Sequence, residues 1–185
     1  MLCLNMRTGL GRFNFYLPAL LLLALLCGCV PLETKPKGPV AALRLHLEVN
    51  PDGTDRNAPV AICRETPVMV NVEKSPFVDE RDVAKAEVVD ALGGFALRIE
   101  FDRQGSWLLE QASTSNRGRR CAVFCQFGDA KTPTTRWLAA PVLSQRITDG
   151  VLVFTPDATR AEAEQIAAGL NNLAKQTQKG KSSLE

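Results

Sequence analysis

Short runs of alternating apolar and polar residues, each bounded by turn residues, restrict this chain more than any other feature. Leu43, Leu45, Leu47 and Val49 alternate with Arg44, His46 and Glu48, and Val68, Val70 and Val72 repeat the pattern. Successive side chains of a strand point to opposite faces, so such a run predicts a strand with one buried face. His46 falls in the polar set and is expected to point outward. Pro51-Asp52-Gly53 ends the first run. Further on, Glu87-Val88-Val89 and the run Phe95 to Phe101 flank Leu92-Gly93-Gly94. A Gly-Gly pair supplies the positive φ angles of a tight hairpin, and Phe95, Leu97, Ile99 and Phe101 then share a face.

Helical signals interrupt these strands. Asp79 is a candidate N-cap for a short helix from Glu80 to about Lys85. Asp102-Arg103-Gln104-Gly105 reads as a turn, with Gly105 or Ser106 opening a helix through Ala112. Arg120 to Phe127 is expected as a strand, Gly128 to Arg136 as an exposed polar loop, and Pro141 to Ile147 and Val151 to Phe154 as short strands joined through Asp149-Gly150. Thr159 and Glu162 have capping-box spacing, and Ala163, Ile166, Ala167, Leu170 and Ala174 form an apolar stripe at helical spacing. The polar, Lys-rich sequence from Gln176 predicts a frayed end. The order of strands and helices implies an α+β fold.

The N-terminus carries a different message. Arg7 and Arg12 precede an apolar run from Leu17 to Gly28, which is shorter than the roughly 20 residues needed to cross a bilayer. It reads as a secretory signal. Its end, Leu26-Cys27-Gly28-Cys29, resembles the lipobox of bacterial lipoproteins, which implies cleavage between Gly28 and Cys29 and lipid on Cys29. Val30 to Pro39, with three prolines and Gly38, reads as an extended tether. The expected organisation is a signal at 1–28, a lipidated cysteine and tether at 29–40, one domain at 41–175 and a polar tail at 176–185.

Charge and cysteine chemistry narrow the function classes. The surplus of 22 basic over 20 acidic residues equals the two arginines of the leader, which holds no acid, so the remainder is charge-balanced. No nucleic-acid partner is indicated. Export permits disulfides, and Cys63 can pair with Cys121 or Cys125, whose own separation along one strand is roughly 13 Å and too long for a mutual bridge. The sequence shows no close ligand pairs for a metal, no phosphate-binding glycine loop and no serine-nucleophile motif, so no catalytic residue, metal or cofactor is assigned. His46 is the only histidine. Arg117, Arg119 and Arg120 form a basic cluster that is either a solvated strand entrance or a contact for an acidic partner. Trp107 and Trp137 are either packed or presented to a partner.

The motif order from Asp90 onward resembles one family. Asp90-Ala91-Leu92-Gly93-Gly94-Phe95 through Gly105 is similar to its strand, turn and strand ending in Phe-x-x-x-Gly. Asn116 to Val123 resembles its Asn-x-Gly-Lys-x-Leu-Ala-Ile segment. Ala139-Ala140-Pro141-Val142, Ile147 and Gly150, then Phe154-Thr155 and Glu162-Ala163, follow in the same order. These residues resemble the head subdomain of the first periplasmic domain of SecD/SecDF, the export subunit that helps pull translocated chains across the inner membrane, over roughly 66–175. The resemblance implies a ferredoxin-like α+β sheet with two helices on one side. It also implies a non-catalytic extracytoplasmic module that meets polypeptide or an export or envelope component, in its sharpest form by strand addition at a sheet edge. The alternative is a structural lipoprotein that stabilises a membrane assembly without touching cargo.

Overall fold

The computed structural model describes residues 38–129 and 132–182; the signal segment, Cys29 and the tether as far as residue 37 lie outside the described residues. Nine strands and two helices follow in order: β1 (Ala42–Leu47), β2 (Asn57–Ile62), β3 (Val68–Glu73), β4 (Val78–Asp79), β5 (Val83–Ala91), β6 (Gly94–Phe101), α1 (Arg103–Ser115), β7 (Cys121–Asp129), β8 (Thr132–Ala139), β9 (Val151–Phe154) and α2 (Arg160–Ser182), with a 3₁₀ turn at Glu80–Asp82. Every pairing is antiparallel. The strands form a four-stranded sheet in the order β4-β1-β7-β8, a three-stranded sheet β5-β6-β9 and a ribbon β2-β3. The fold is α+β, with antiparallel sheets and two helices, as expected.

Two apolar clusters organise these elements. The larger joins Leu43 and Leu45 of β1 and Val123 and Cys125 of β7 to Leu97 and Ile99 of β6, Leu152 of β9, Leu109 of α1 and Ile166 and Leu170 of α2. The alternation read in β1 and β6 therefore does face a common core. The smaller cluster lies on the ribbon side, where Ile62, Val70 and Val72 pack with Ala122, Trp137 and Ala140. Because β7 contributes Cys121, Val123 and Cys125 to one cluster and Ala122 to the other, it is covered on both faces.

Local chemistry fixes the element ends. Asp79 caps the 3₁₀ turn, its carboxylate accepting from the Arg81 amide at 2.9 Å. The turn is shorter than the helix expected to Lys85, because β5 begins at Val83. Asp102, expected within a turn, is the N-cap of α1, with Oδ1 accepting from the Gly105 amide at 3.0 Å. Gly105 cannot carry a side chain cheaply, since a Cβ there would sit 2.8 Å from the Asp82 Cβ. At α2 the capping box forms as expected: the Glu162 amide donates to the Thr159 hydroxyl and the Thr159 amide to Glu162 Oε2. The predicted stripe from Ala163 to Ala174 is buried.

Three expectations are corrected. Residues 132–136 are not loop but the first part of β8, paired to β7 from Asp129↔Thr132 to Val123↔Ala139. Thr132, Thr134 and Thr135 are polar yet β-branched, and Pro133 is tolerated because β8 is an edge strand. Pro141 to Ile147 is not a strand and makes only one bridge, Arg120↔Val142. Helix α2 continues through Ser182, past the expected polar boundary at Gln176, since Gln and Lys favour helix whether or not they face a core.

Helix α2 also closes a sheet edge. Asn171 donates from Nδ2 to the Ala86 carbonyl at 2.8 Å and accepts the Ala86 amide on Oδ1 at 2.9 Å, so one side chain takes the place of a neighbouring strand. Ala86 is only 2% exposed, and removing its partner leaves two buried polar groups unsatisfied. We expect Asn171→Ala to lower unfolding free energy by about 2 kcal/mol in urea titrations and to accelerate hydrogen exchange at Ala86 selectively.

Candidate binding surface

The three arginines singled out above sit where α1 returns to β7, and the fold uses all three. Arg117 is exposed and donates from Nε to the Ser144 carbonyl at 3.0 Å. Arg119 donates from NH1 to the Glu48 carbonyl at 3.1 Å, and the Arg120 amide donates to Glu48 Oε2 at 2.7 Å. Glu48 thus binds the end of β1 to the start of β7. Of the three only Arg117 is exposed, so the cluster is first a brace and only at its outer member a contact surface.

Trp137 and Trp107 part company. Trp137 is half-buried, edge-on to His46 and to Phe124 with ring centroids 5.2 Å apart in both cases. Trp107 is 57% exposed on α1.

His46 does not point to solvent: it is 6% exposed, because the ribbon covers the face of β1 that the alternation marked as polar. Its Nδ1 lies 2.8 Å from the Glu73 carbonyl and donates to it, tying β1 to β3.

Cys121 and Cys125 offer no reactive site in this geometry. Cys63, Cys121 and Cys125 carry free thiols, Cys63 exposed and the other two buried. Burial pushes the thiols of Cys121 and Cys125 up to about 12, far from the thiolate a nucleophile requires. His46 pairs across the ladder with Ala122, so its ring lies on the sheet face opposite Cys121 and Cys125, and the sheet separates the two groups. Among the described residues no three His, Cys, Asp or Glu side chains converge as a metal site would require.

A cleft of about 390 Å³ lies between the segment 141–149 and strand β9. Val142 on one wall and Val153 on the other are 49% and 51% exposed. The 141–149 wall is held from behind. The Leu143 amide donates to the Arg119 carbonyl and the Cys121 amide to the Pro141 carbonyl, both at 2.8 Å, while the Ile147 amide donates to the buried Ser113 hydroxyl at 3.0 Å. Val142 and Val153 were not singled out from the sequence. The available signal was Val151-Leu152-Val153-Phe154, apolar at every position in a strand too short to be central.

Burial holds the His46 pKa below its ordinary 6.5, opposed by the Glu73 carbonyl and carboxylate and reinforced by the nearby Arg44 cation. The folded state therefore binds this proton less readily than the unfolded chain. Stability from this site is complete above about pH 6.5 and falls as the pH drops through that value. In urea titrations between pH 7.5 and 5, about the window of histidine titration, the parent should lose stability relative to His46→Gln, which keeps a donor but does not titrate.

Comparisons with known proteins agree with this architecture. Residues 57–174, more than half of the chain, match the family described as SecDF, P1 head subdomain. A structure of SecDF, described as a membrane component that enhances protein export, superposes with a TM-score of 0.50 at 20% identity, covering 73% of this chain and 64% of that one. SecDF in its super-membrane-facing form gives the same score and identity over 71% of this chain and 19% of that one. The chain thus spans less than two thirds of either SecDF structure, and at this identity the likeness shows the fold. A comparison with curated protein sequences returns no match. The family match over 57–174 is decisive: the chain belongs to the SecDF P1 head subdomain family.

Proposed function

We propose that this chain is a lipid-anchored extracytoplasmic binding module that contacts polypeptide, or a component of the export or envelope machinery, and performs no catalysis of its own. Membership of the SecDF P1 head family carries the reading. Three further observations support it. The leader ends in the lipobox-like Leu26-Cys27-Gly28-Cys29. No described helix is long and apolar enough to cross a membrane, and Cys29 is the attachment residue that this motif offers. The buried thiols and the sheet between them and His46 give no nucleophile–base pair.

Several acyl chains on one residue hold a soluble domain at a bilayer, at about 0.8 kcal/mol per buried methylene. Val30 to Pro39 then sets the reach of the domain from that surface. Arg117, Trp107 and the exposed threonines of β8 are side chains available to a partner.

Photo-crosslinkers placed in cells at Arg117 and Thr134 should capture polypeptide, and the yield should fall when protein synthesis is blocked. A stable complex that persists unchanged under the block would instead identify a structural lipoprotein. Mass spectrometry of the mature N-terminus should find lipid on Cys29; an unmodified cysteine or a retained Leu17–Gly28 segment would overturn the anchor.

A further inference from the structure

We propose that the free edge of β9, together with the 141–149 segment facing it, takes up an extended polypeptide by strand addition; this rests on the polypeptide-binding reading above and assigns it to one site. Ladder geometry identifies the groups that would bind. The Phe101 amide donates to the Gly150 carbonyl at 2.9 Å, which makes Phe101 and Gly150 a hydrogen-bonded antiparallel pair. Pairs of this kind alternate with open ones. In the register Ile99↔Leu152 and Leu97↔Phe154, the backbone groups of Leu152 and Phe154 turn to β6, and those of Val151 and Val153 turn away. The Val151 amide is already taken by Asp149 Oδ1 at 3.2 Å. Among the described residues, the Val153 amide and carbonyl and the Val151 carbonyl have no partner, and both residues line the cleft.

Among the described residues, each other edge of length carries at least one guard. Asn171 takes up the Ala86 amide and carbonyl on the outer edge of β5. The outer edge of β3 is met by the Val49 amide, which donates to the Asn71 carbonyl, and by the His46 ring on Glu73. Pro59 interrupts β2, Pro133 interrupts β8, and β4 has only two residues. Natural sheets use such devices against unwanted pairing, so the β9 groups that no such device covers are available for a partner. On β9 the exposed Val153 and the facing Val142 add an apolar grip, and the braced 141–149 wall needs no reordering on binding.

The occupant is a stretch of extended chain from another protein. A cleft of about 390 Å³ holds a few residues of such a chain, and the 141–149 wall over the same edge keeps a second folded copy from bringing its own β9 alongside. Recognition is through backbone groups, with an aliphatic side chain preferred opposite Val153 and proline excluded there.

The test uses the full chain in detergent and a short labelled peptide of alternating Thr and Val, followed by fluorescence anisotropy. N-methylation of the Val amides should weaken binding at least about tenfold, while N-methylation of the Thr amides should not, because only the former blocks the register that sets Val opposite Val153. Val153→Pro, which removes an amide that β6 does not use, should weaken the parent peptide about tenfold with the circular dichroism spectrum unchanged, and Val153→Thr should restore it. The peptide comparison needs no altered protein and so does not depend on how the proline variant folds. Equal binding of both methylated peptides, full binding by Val153→Pro, or a peptide signal that follows self-association would overturn the assignment. Crosslinks to polypeptide from Arg117 or Thr134 together with any of those results would leave the binding function standing and remove β9 as its site.

Discussion

The antiparallel pair of β1 and β7 is the constraint on which the rest of this domain depends. Its register runs without a break from Ala42↔Gln126 to Leu47↔Cys121, and it is covered on both faces. Leu43, Leu45, Cys121, Val123 and Cys125 face the helices, while His46 and Ala122 face the ribbon. A slip of one residue would send each set to the wrong layer, with His46 driven into the larger core. The neighbouring elements hold this pair in place. Gly169 lets α2 approach the start of β1 so closely that a Cβ would lie 2.7 Å from the Ala41 amide nitrogen, and Glu48 locks the far end through Arg119 and Arg120.

Between the two sheets, the same chain solves its edges by different means. Asn171 imitates a strand, prolines remove donors from β2 and β8, and the His46 ring covers a carbonyl of β3. Each device satisfies or blocks a backbone group that would otherwise be buried without a partner or left to pair with another chain. The Arg117, Arg119 and Arg120 cluster belongs to this economy of backbone groups as much as to electrostatics, since two of its guanidinium groups bind carbonyls of the fold.

What could be read from the sequence followed from how local the signals were. The Gly93-Gly94 hairpin, the Thr159–Glu162 capping box and the stripe from Ala163 to Ala174 are set by residues within one or two turns of each other, and all three form. His46 was misplaced because its burial depends on the ribbon, which the alternation around β1 does not reveal. β8 was missed because Thr132 to Thr135 shows no apolar alternation and contains Pro133, and only its pairing with β7 reveals the strand. The cleft was invisible for a related reason: Val142 and Val153 are unremarkable aliphatics until the Arg119, Cys121 and Ser113 bonds bring their two segments face to face.

An edge that offers three backbone groups limits what binding there can achieve. Net contributions of about 0.5–1.5 kcal/mol per hydrogen bond, added to one aliphatic contact, are largely offset by the cost of fixing an extended chain. Such a contact is weak and dissociates quickly. It reads little sequence, because the groups it engages are common to every residue except proline and only the position opposite Val153 favours an aliphatic side chain. Tight capture would oppose the onward movement of a chain, whereas a shallow, rigid edge can meet many different chains in succession and release each one. Under the proposed strand addition, the open cleft beside β9 suits a repeated and transient contact with extended polypeptide better than an enclosing pocket would.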